Sequence, residues 1–200
     1  MPFDPAITHS IVLRHGLPAI LRQLSPDDRD RVRAAFQRLS SESTYLRFWT
    51  RFRQINPKFI EQLLTPGDST HATWIIILTD STDIPGVGGG SFWRISQSPS
   101  LAEVSFTIAD EFQNQGNGTI LLAALWLHAT SLGITHFIAH VLDENLVMRA
   151  WWDALGATAT VGERGWQLTL PLDRSLLPIT PTSRSLLRWL SQLETVPHSL

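Results

Sequence analysis

Apolar positions change their period along the chain, and the changes mark the elements. Residues 1–10 carry two prolines and no period, so they read as a flexible lead-in. Apolar-rich runs at Ile11–Arg14 and Leu17–Leu24 flank His15-Gly16, where glycine tolerates positive φ, and they read as a hairpin or two edge strands. Ser25 has the make-up of a helix N-cap, with Pro26 at the first helical position and Asp27 and Asp28 in the first turn. Val32, Ala35, Phe36 and Leu39 then recur at helical spacing. A second helical stretch starts near Ser41, and a third covers Pro57–Leu64 before Pro66-Gly67.

The period shortens after that. Ala72–Thr79 is apolar on both faces, as a buried central strand is. Turn chemistry at Asp80–Pro85 separates it from strands at Val87–Ile95 and Leu101–Ala109, so residues 72–109 predict an antiparallel meander. Gly118–Leu132 reads as a helix with Ile120, Leu121, Ala124, Leu125 and His128 along one side, ended by Gly133. Thr135–Leu142 is a strand, which makes residues 101–142 a strand–helix–strand crossover with its two strands parallel. A helix over Leu146–Leu155, ended by Gly156, precedes strands near Ala157–Val161 and Trp166–Leu170. The sum is one mixed α/β (α+β) domain over residues 11–172: a mostly antiparallel sheet with one parallel pair, flanked by helices. The tail, residues 173–200, holds a helix near Thr182–Leu193 whose leucine face packs on the domain or on a second copy of the chain.

At 200 residues with 43% apolar content, the chain can build one full core. The lack of cysteine removes disulfides, thiol nucleophiles and cysteine-ligated metals. The longest apolar run, Ile120–Leu127, is eight residues, far below the roughly 18–20 that span a bilayer. With no basic-then-apolar leader, a cytoplasmic protein without a membrane partner is expected. Net charge is −2, which gives no overall pull on nucleic acid. Between Arg14 and Arg53, however, nine arginines meet four acids. That excess is either a set of solvated helix faces or a basic rim for a polyanion such as coenzyme A or nucleic acid.

The chemistry concentrates between Val104 and Leu122. A strand ends near Ala109, Gln113-Asn114-Gln115-Gly116-Asn117-Gly118-Thr119 follows, and then a helix begins. Glycines at 116 and 118 let the backbone approach a ligand and leave N–H groups unobstructed, and the helix adds the positive end of its dipole. This is a cradle for a phosphate or pyrophosphate, or else a plain strand-to-helix turn. No lysine follows Gly118, as a Walker A loop requires, and Leu121 stands where a dinucleotide fingerprint needs its third glycine. The Gly86–Gly90 run precedes strand residues and reads as close strand packing.

Gln-x-x-Gly-x-Gly between a strand and a helix resembles the pyrophosphate signature of the GNAT superfamily of N-acetyltransferases. Other segments agree in order and spacing. Leu13–Gly16 through Ile20–Arg22 to Pro26–Asp28 is similar to the family's opening strands and first helix. Leu39–Phe48 resembles a segment of GNAT domains related to bacterial protein-lysine acetyltransferases, and Ala102–Phe106 resembles their fourth strand. Glu144-Asn145 with Met148, leading to Leu155-Gly156-Ala157, matches the late motif, with alanine in place of the usual aromatic at 157.

The resemblance implies a sheet splayed between the family's fourth and fifth strands, with acetyl-CoA as co-substrate and no metal. Main-chain groups near Phe106, Thr107 and Ile108 would pair with the pantetheine arm. Amides of Gln113, Asn114, Gln115, Gly116, Asn117, Gly118 and Thr119 would hold the pyrophosphate, and Asn145 would contact the coenzyme. The reaction implied is transfer of the acetyl group to a primary amine, on a protein lysine or a small molecule, by direct attack in a ternary complex. The amine must lose a proton, and Glu103 is the candidate base, directly or through a water. Strand alternation puts Glu103, Ser105 and Thr107 on one face and Val104, Phe106 and Ile108 on the other.

The acid for the departing thiolate is less clear. Many family members have tyrosine four residues before the late glycine, where this chain has Trp152. The only tyrosine, Tyr45, reads as a packing residue. A catalytically silent acyl-CoA-binding module is therefore the rival reading. His136 and His140 would lie about 13 Å apart on a strand, too far to share a metal. Trp151 and Trp152 are adjacent, so one is expected inside and the other lining the acceptor pocket.

Overall fold

The structure is a computed structural model that describes residues 3–48, 56–81, 83–84, 86–162 and 165–195. Arg51 and Arg53 of the basic stretch, and Thr82 and Pro85 of the expected turn, lie outside the described residues.

Eight strands form one sheet in the order β1-β2-β3-β4-β5-β6-β8-β7. β1 (His9–Val12) and β2 (Pro18–Gln23) are the expected antiparallel pair, turned through His15 and Gly16, both at positive φ. β1 starts two residues before the domain boundary expected at 11. Phe3, inside the expected lead-in, stacks on His9 and leans on Trp74. β3 (His71–Leu78), β4 (Gly88–Ile95) and β5 (Ser98–Ile108) are the predicted meander, and every residue of β3 is buried.

At Gly90 a Cβ would stand 2.9 Å from the Phe106 ring, and at Gly88 one would stand 2.7 Å from the Thr107 carbonyl oxygen. The glycine run thus serves close strand packing, as its strand context predicted.

The first helix begins later than its cap. A 3-10 turn, Pro26–Asp28, precedes α1 (Arg29–Gln37), and Asp28 is buried. Its carboxylate receives the Ser25 N–H at 3.0 Å and two bonds from Arg22 at 2.7 and 2.8 Å. Burial works to raise this carboxyl, but the Arg22 and Ser25 bonds prevail and hold it below its ordinary range. α2 (Ser41–Phe48) and α3 (Pro57–Leu64) complete a helical layer with α1. The arginines of this region mostly meet acids: Arg22 and Arg31 at Asp28, Arg29 at Glu61, Arg33 at Asp30 and Arg38 at Glu111.

β5 leads through α4 (Asn117–Ser131) to β6 (His136–Val141), and the two strands are parallel. α5 (Leu146–Asp153), β7 (Thr158–Gly162) and β8 (Gly165–Pro171) follow, with β8 between β6 and β7. α4 was expected to bury one side only. Instead its residues from Thr119 to Ala129 are buried without a break, because α6 (Pro181–Glu194) covers its outer face. An all-round apolar helix needs such cover. Leu186, Leu190 and Leu193 of α6 join the main core, and Thr180 and Ser183 donate hydroxyl bonds to the Ala154 carbonyl. The expected tail is thus packed on the domain through α6.

The core is split by the sheet. α4 and α6 cover the face carrying Trp74, Ile76, Phe92, Val104, Phe106 and Phe137. The helical layer α1–α3 covers the other with a smaller cluster around Leu24, Val32, Leu63, Ile75 and Ile77. No helix among the described residues is long and apolar enough to cross a membrane.

Candidate active site

β5 and β6 run side by side for only three residue pairs, Leu101 with His136, Ala102 with Phe137 and Glu103 with Ile138. Beyond Glu103, β5 continues to Ile108 still paired to β4, and β6 continues to Val141 paired to β8, but not with each other. The sheet is therefore parted from Val104 onward, and that edge of β5 has no strand partner among the described residues.

At the open end of the gap lies the Gln113–Thr119 loop. Three of its four carboxamides bond main-chain carbonyls of the residues just before it. Gln113 Nε2 is 3.1 Å from the Ile108 carbonyl, Gln115 Nε2 donates to Glu111 O at 2.7 Å, and buried Asn117 Nδ2 donates to Phe112 O at 2.8 Å. Gly116 sits at φ 87, an αL position with open space where a Cβ would project. The main-chain N–H groups of Gln113 and Thr119 donate to Asp110 O and Gly116 O. Those of Asn114, Gln115, Gly116, Asn117 and Gly118 have no acceptor among the described residues. Five consecutive N–H groups without an acceptor among the described residues thus lead into the 15-residue helix α4, whose N-terminus carries the positive end of its dipole.

The other predicted residues fall around the same gap. Phe106 is buried on the α4 side, and Thr107 lines the opposite face. The Ile108 carbonyl, expected to be open to a ligand, is taken by Gln113. Asn145 is the N-cap of α5, its Oδ1 accepting the Met148 N–H at 3.1 Å. Glu103 is exposed at the point where the strands part, on the face shared with Ser105 and Thr107. Register puts exposed His140 on that face too, on the other arm of the gap. Trp152 is fully buried.

Trp151 goes elsewhere than expected. It packs edge-on to Phe106 with ring centroids 5.3 Å apart and donates its indole N–H to Thr119 Oγ1 at 3.2 Å. It thus bridges α5 to the first turn of α4, while the cavity on the Glu103 face includes neither tryptophan.

That cavity, of about 90 Å³, lies between the helical layer and β3–β5. Its apolar wall includes Val32, Phe36, Leu63 and Ile75, and its polar wall Thr73, Ser91, Ser105 and Thr107. Arg47 also lines it, giving a 2.7 Å bond to Ser105 Oγ, with its guanidinium over the Phe59 ring. Burial pushes Arg47 down to about 10, opposed by the nearby negative charge of Glu103.

The contacts of α2 are a second feature that residue patterns did not reveal. Ser43 and Ser40 bond Asp110, Gln113 Nε2 lies 3.0 Å from Ser43 Oγ, and Tyr45 donates to Glu144 Oε1 at 3.0 Å. Burial would raise the Asp110 carboxyl, but the serine bonds hold it below its ordinary range. The helix therefore touches the loop on one side of the gap and the α5 turn on the other. The quoted resemblance of Leu39–Phe48 was the available signal. It marked the segment but not its contacts.

A mixed sheet parted beside a strand-to-helix loop is the architecture of an acetyltransferase (GNAT) domain, and the chain belongs to the Acetyltransferase (GNAT) domain family, whose model matches residues 19–158. Acetyltransferase Pat of Mycolicibacterium smegmatis is 29% identical over 192 residues, which is 91% of this chain and 57% of that protein. The chain thus spans little more than half of that relative. Acetyltransferase PA5475 of Pseudomonas aeruginosa is 25% identical over 152 residues, 76% of this chain and 80% of that protein. The crystal structure of the GNAT domain of S. lividans PAT shares the fold, with TM-score 0.73 at 24% identity over 82% of this chain and 96% of that one. A cAMP-binding acyltransferase from Mycobacterium smegmatis gives TM-score 0.59 at 27% identity over 93% and 56%.

Proposed function

We propose that this protein is an acyl-CoA-dependent N-acetyltransferase that moves the acetyl group of acetyl-CoA to a primary amine in a ternary complex. The observation that carries the reading is the run of five unengaged N–H groups, Asn114 to Gly118, at the mouth of a gap whose far end is Glu103. The donors fit the pyrophosphate, and the unpartnered edge of β5 fits the amide-bearing pantetheine arm. Asn145 borders the same site.

An ammonium of pKa about 10.4 is no nucleophile, so the acceptor must first give up a proton. Glu103 is exposed where the acetyl group would arrive and takes that proton, directly or through a water. The amine nitrogen then bonds to the acetyl carbon. A main-chain N–H on the free edge of β5 steadies the oxyanion, the nitrogen sheds its second proton to solvent, and the carbon–sulfur bond breaks with its electron pair on sulfur. Trp152 is buried at the place of the family's tyrosine and has no acidic proton, so the thiolate leaves without a proton from that position. That burial also favours the second reading, a silent acyl-CoA-binding module.

Isothermal titration with acetyl-CoA, followed by thiol-release assays over small amines and lysine peptides, tests the proposal. Binding with turnover supports the enzyme, binding without turnover supports the silent module, and no binding removes both. The domain is expected to work in the cytoplasm with no metal.

A further inference from the structure

The cavity beside Glu103 has a composition that an acceptor amine alone does not need. One wall is aliphatic and aromatic, one is a row of hydroxyls on β3, β4 and β5, and the Arg47 side chain is part of the lining. Glu103 lies on the same sheet face, near enough for its charge to act on Arg47. Arg47 lines an apolar space of about 90 Å³ and bonds Ser105, and Glu103 stands two residues before Ser105 on the same face of β5. A water's share of the liquid is about 30 Å³, so an aliphatic side chain fits and a long polar chain gains nothing there.

We infer that this cavity receives the side chain of the acceptor, and that the acceptor is a free α-amino acid with an apolar side chain, its ammonium toward Glu103 and its carboxylate toward Arg47. The inference rests on the transferase reading above. Arginine suits the role because its fork matches a carboxylate and strengthens where water is excluded. A lysine in a peptide has its backbone carboxyl bound in an amide, so it brings no anion to Arg47. In the reaction Glu103 removes one ammonium proton, the nitrogen bonds to the acetyl carbon, and it sheds a second proton as the carbon–sulfur bond breaks. One proton ends on the thiolate and the other in solvent, leaving an N-acetyl amino acid and free coenzyme.

Thiol release at saturating acetyl-CoA should be compared for L-leucine, L-leucinamide, glycine, L-tryptophan and a lysine peptide. Leucine should exceed leucinamide by about tenfold or more in kcat/KM, and glycine by a similar factor. In Arg47→Gln the leucine-to-leucinamide ratio should fall toward one, and Arg47→Lys should restore part of it. Ala35→Leu, which fills the cavity from α1, should move the preference from leucine to alanine. Leucinamide equal to leucine in the unaltered protein, or a lysine peptide as good as leucine, would overturn this inference alone. Binding of acetyl-CoA with no thiol release from any acceptor would overturn the transferase reading and this inference with it.

Discussion

The two faces of the sheet are packed to different ends. Under α4 and α6 the space is filled: Trp74, Phe92, Phe137, Leu125 and Leu190 are each fully buried. Under α1–α3 the cluster is smaller, hydroxyls replace alkyl groups along β3–β5, and a cavity remains beside a buried guanidinium. A cavity of 90 Å³ withholds packing worth about 2 kcal/mol from its walls. The filled face carries the stability of the fold, and the other leaves space for a guest. The contrast teaches that a residue's effect on folding and its effect on chemistry should segregate by face.

The sharpest separation comes from one substitution on each side. Glu103→Gln should lower turnover by about 10²–10⁴-fold with little change in acetyl-CoA affinity or melting temperature, since the side chain is exposed. Turnover within a few-fold of the unaltered enzyme would remove Glu103 from the mechanism. Phe92→Ala, on the filled face, should cost about 3–5 kcal/mol in denaturant unfolding. A cost as small as that of trimming half-buried Phe36 would deny the contrast.

The filled face should also be the acid-sensitive one. His128 is buried, and its Nδ1 accepts the Trp74 indole N–H at 3.2 Å, which requires the neutral ring. Desolvation pushes its pKa down to about 4, against about 6.5 unfolded. Between those values the unfolded chain binds the extra proton. Stability that is full above about pH 6.5 is thus lost as pH falls toward 4, by up to about 3 kcal/mol. Burial moves His9 in the same direction, with Asp4 opposing. Melting curves from neutral to acid pH check this, and His128→Asn should flatten them. A smaller effect is expected at the loop. Gly116→Ala forces a Cβ into φ 87 at about 1–2 kcal/mol, with no neighbour to clash.

Much of this was legible in the chain. The meander followed from the switch of period at residue 72, and the loop followed from two glycines between a strand and a helix. What escaped depends on partners far away in sequence. Tyr45 read as packing because Glu144 is 99 residues distant, and Ser43 meets Asp110 across 67. An amphipathic pattern tells which side of α2 is apolar, not that its polar side spans the gap. α4 was taken as one-sided because the helix that covers it was assigned to a tail. Trp151 and Trp152 were correctly split, but their destinations depend on where α5 meets α4, which no local pattern encodes.

The loop's furnishing has one more consequence. Gln113, Gln115 and Asn117 are neutral, and no lysine or arginine lies between residues 110 and 120. The diphosphate would be gripped by peptide dipoles at contact distance, with no lysine or arginine of the loop for dissolved ions to shield. Dissociation constants for acetyl-CoA should therefore drift little between about 50 and about 500 mM sodium chloride, where a cationic clamp would loosen severalfold. Such a pocket keeps its grip when the ionic strength around it swings.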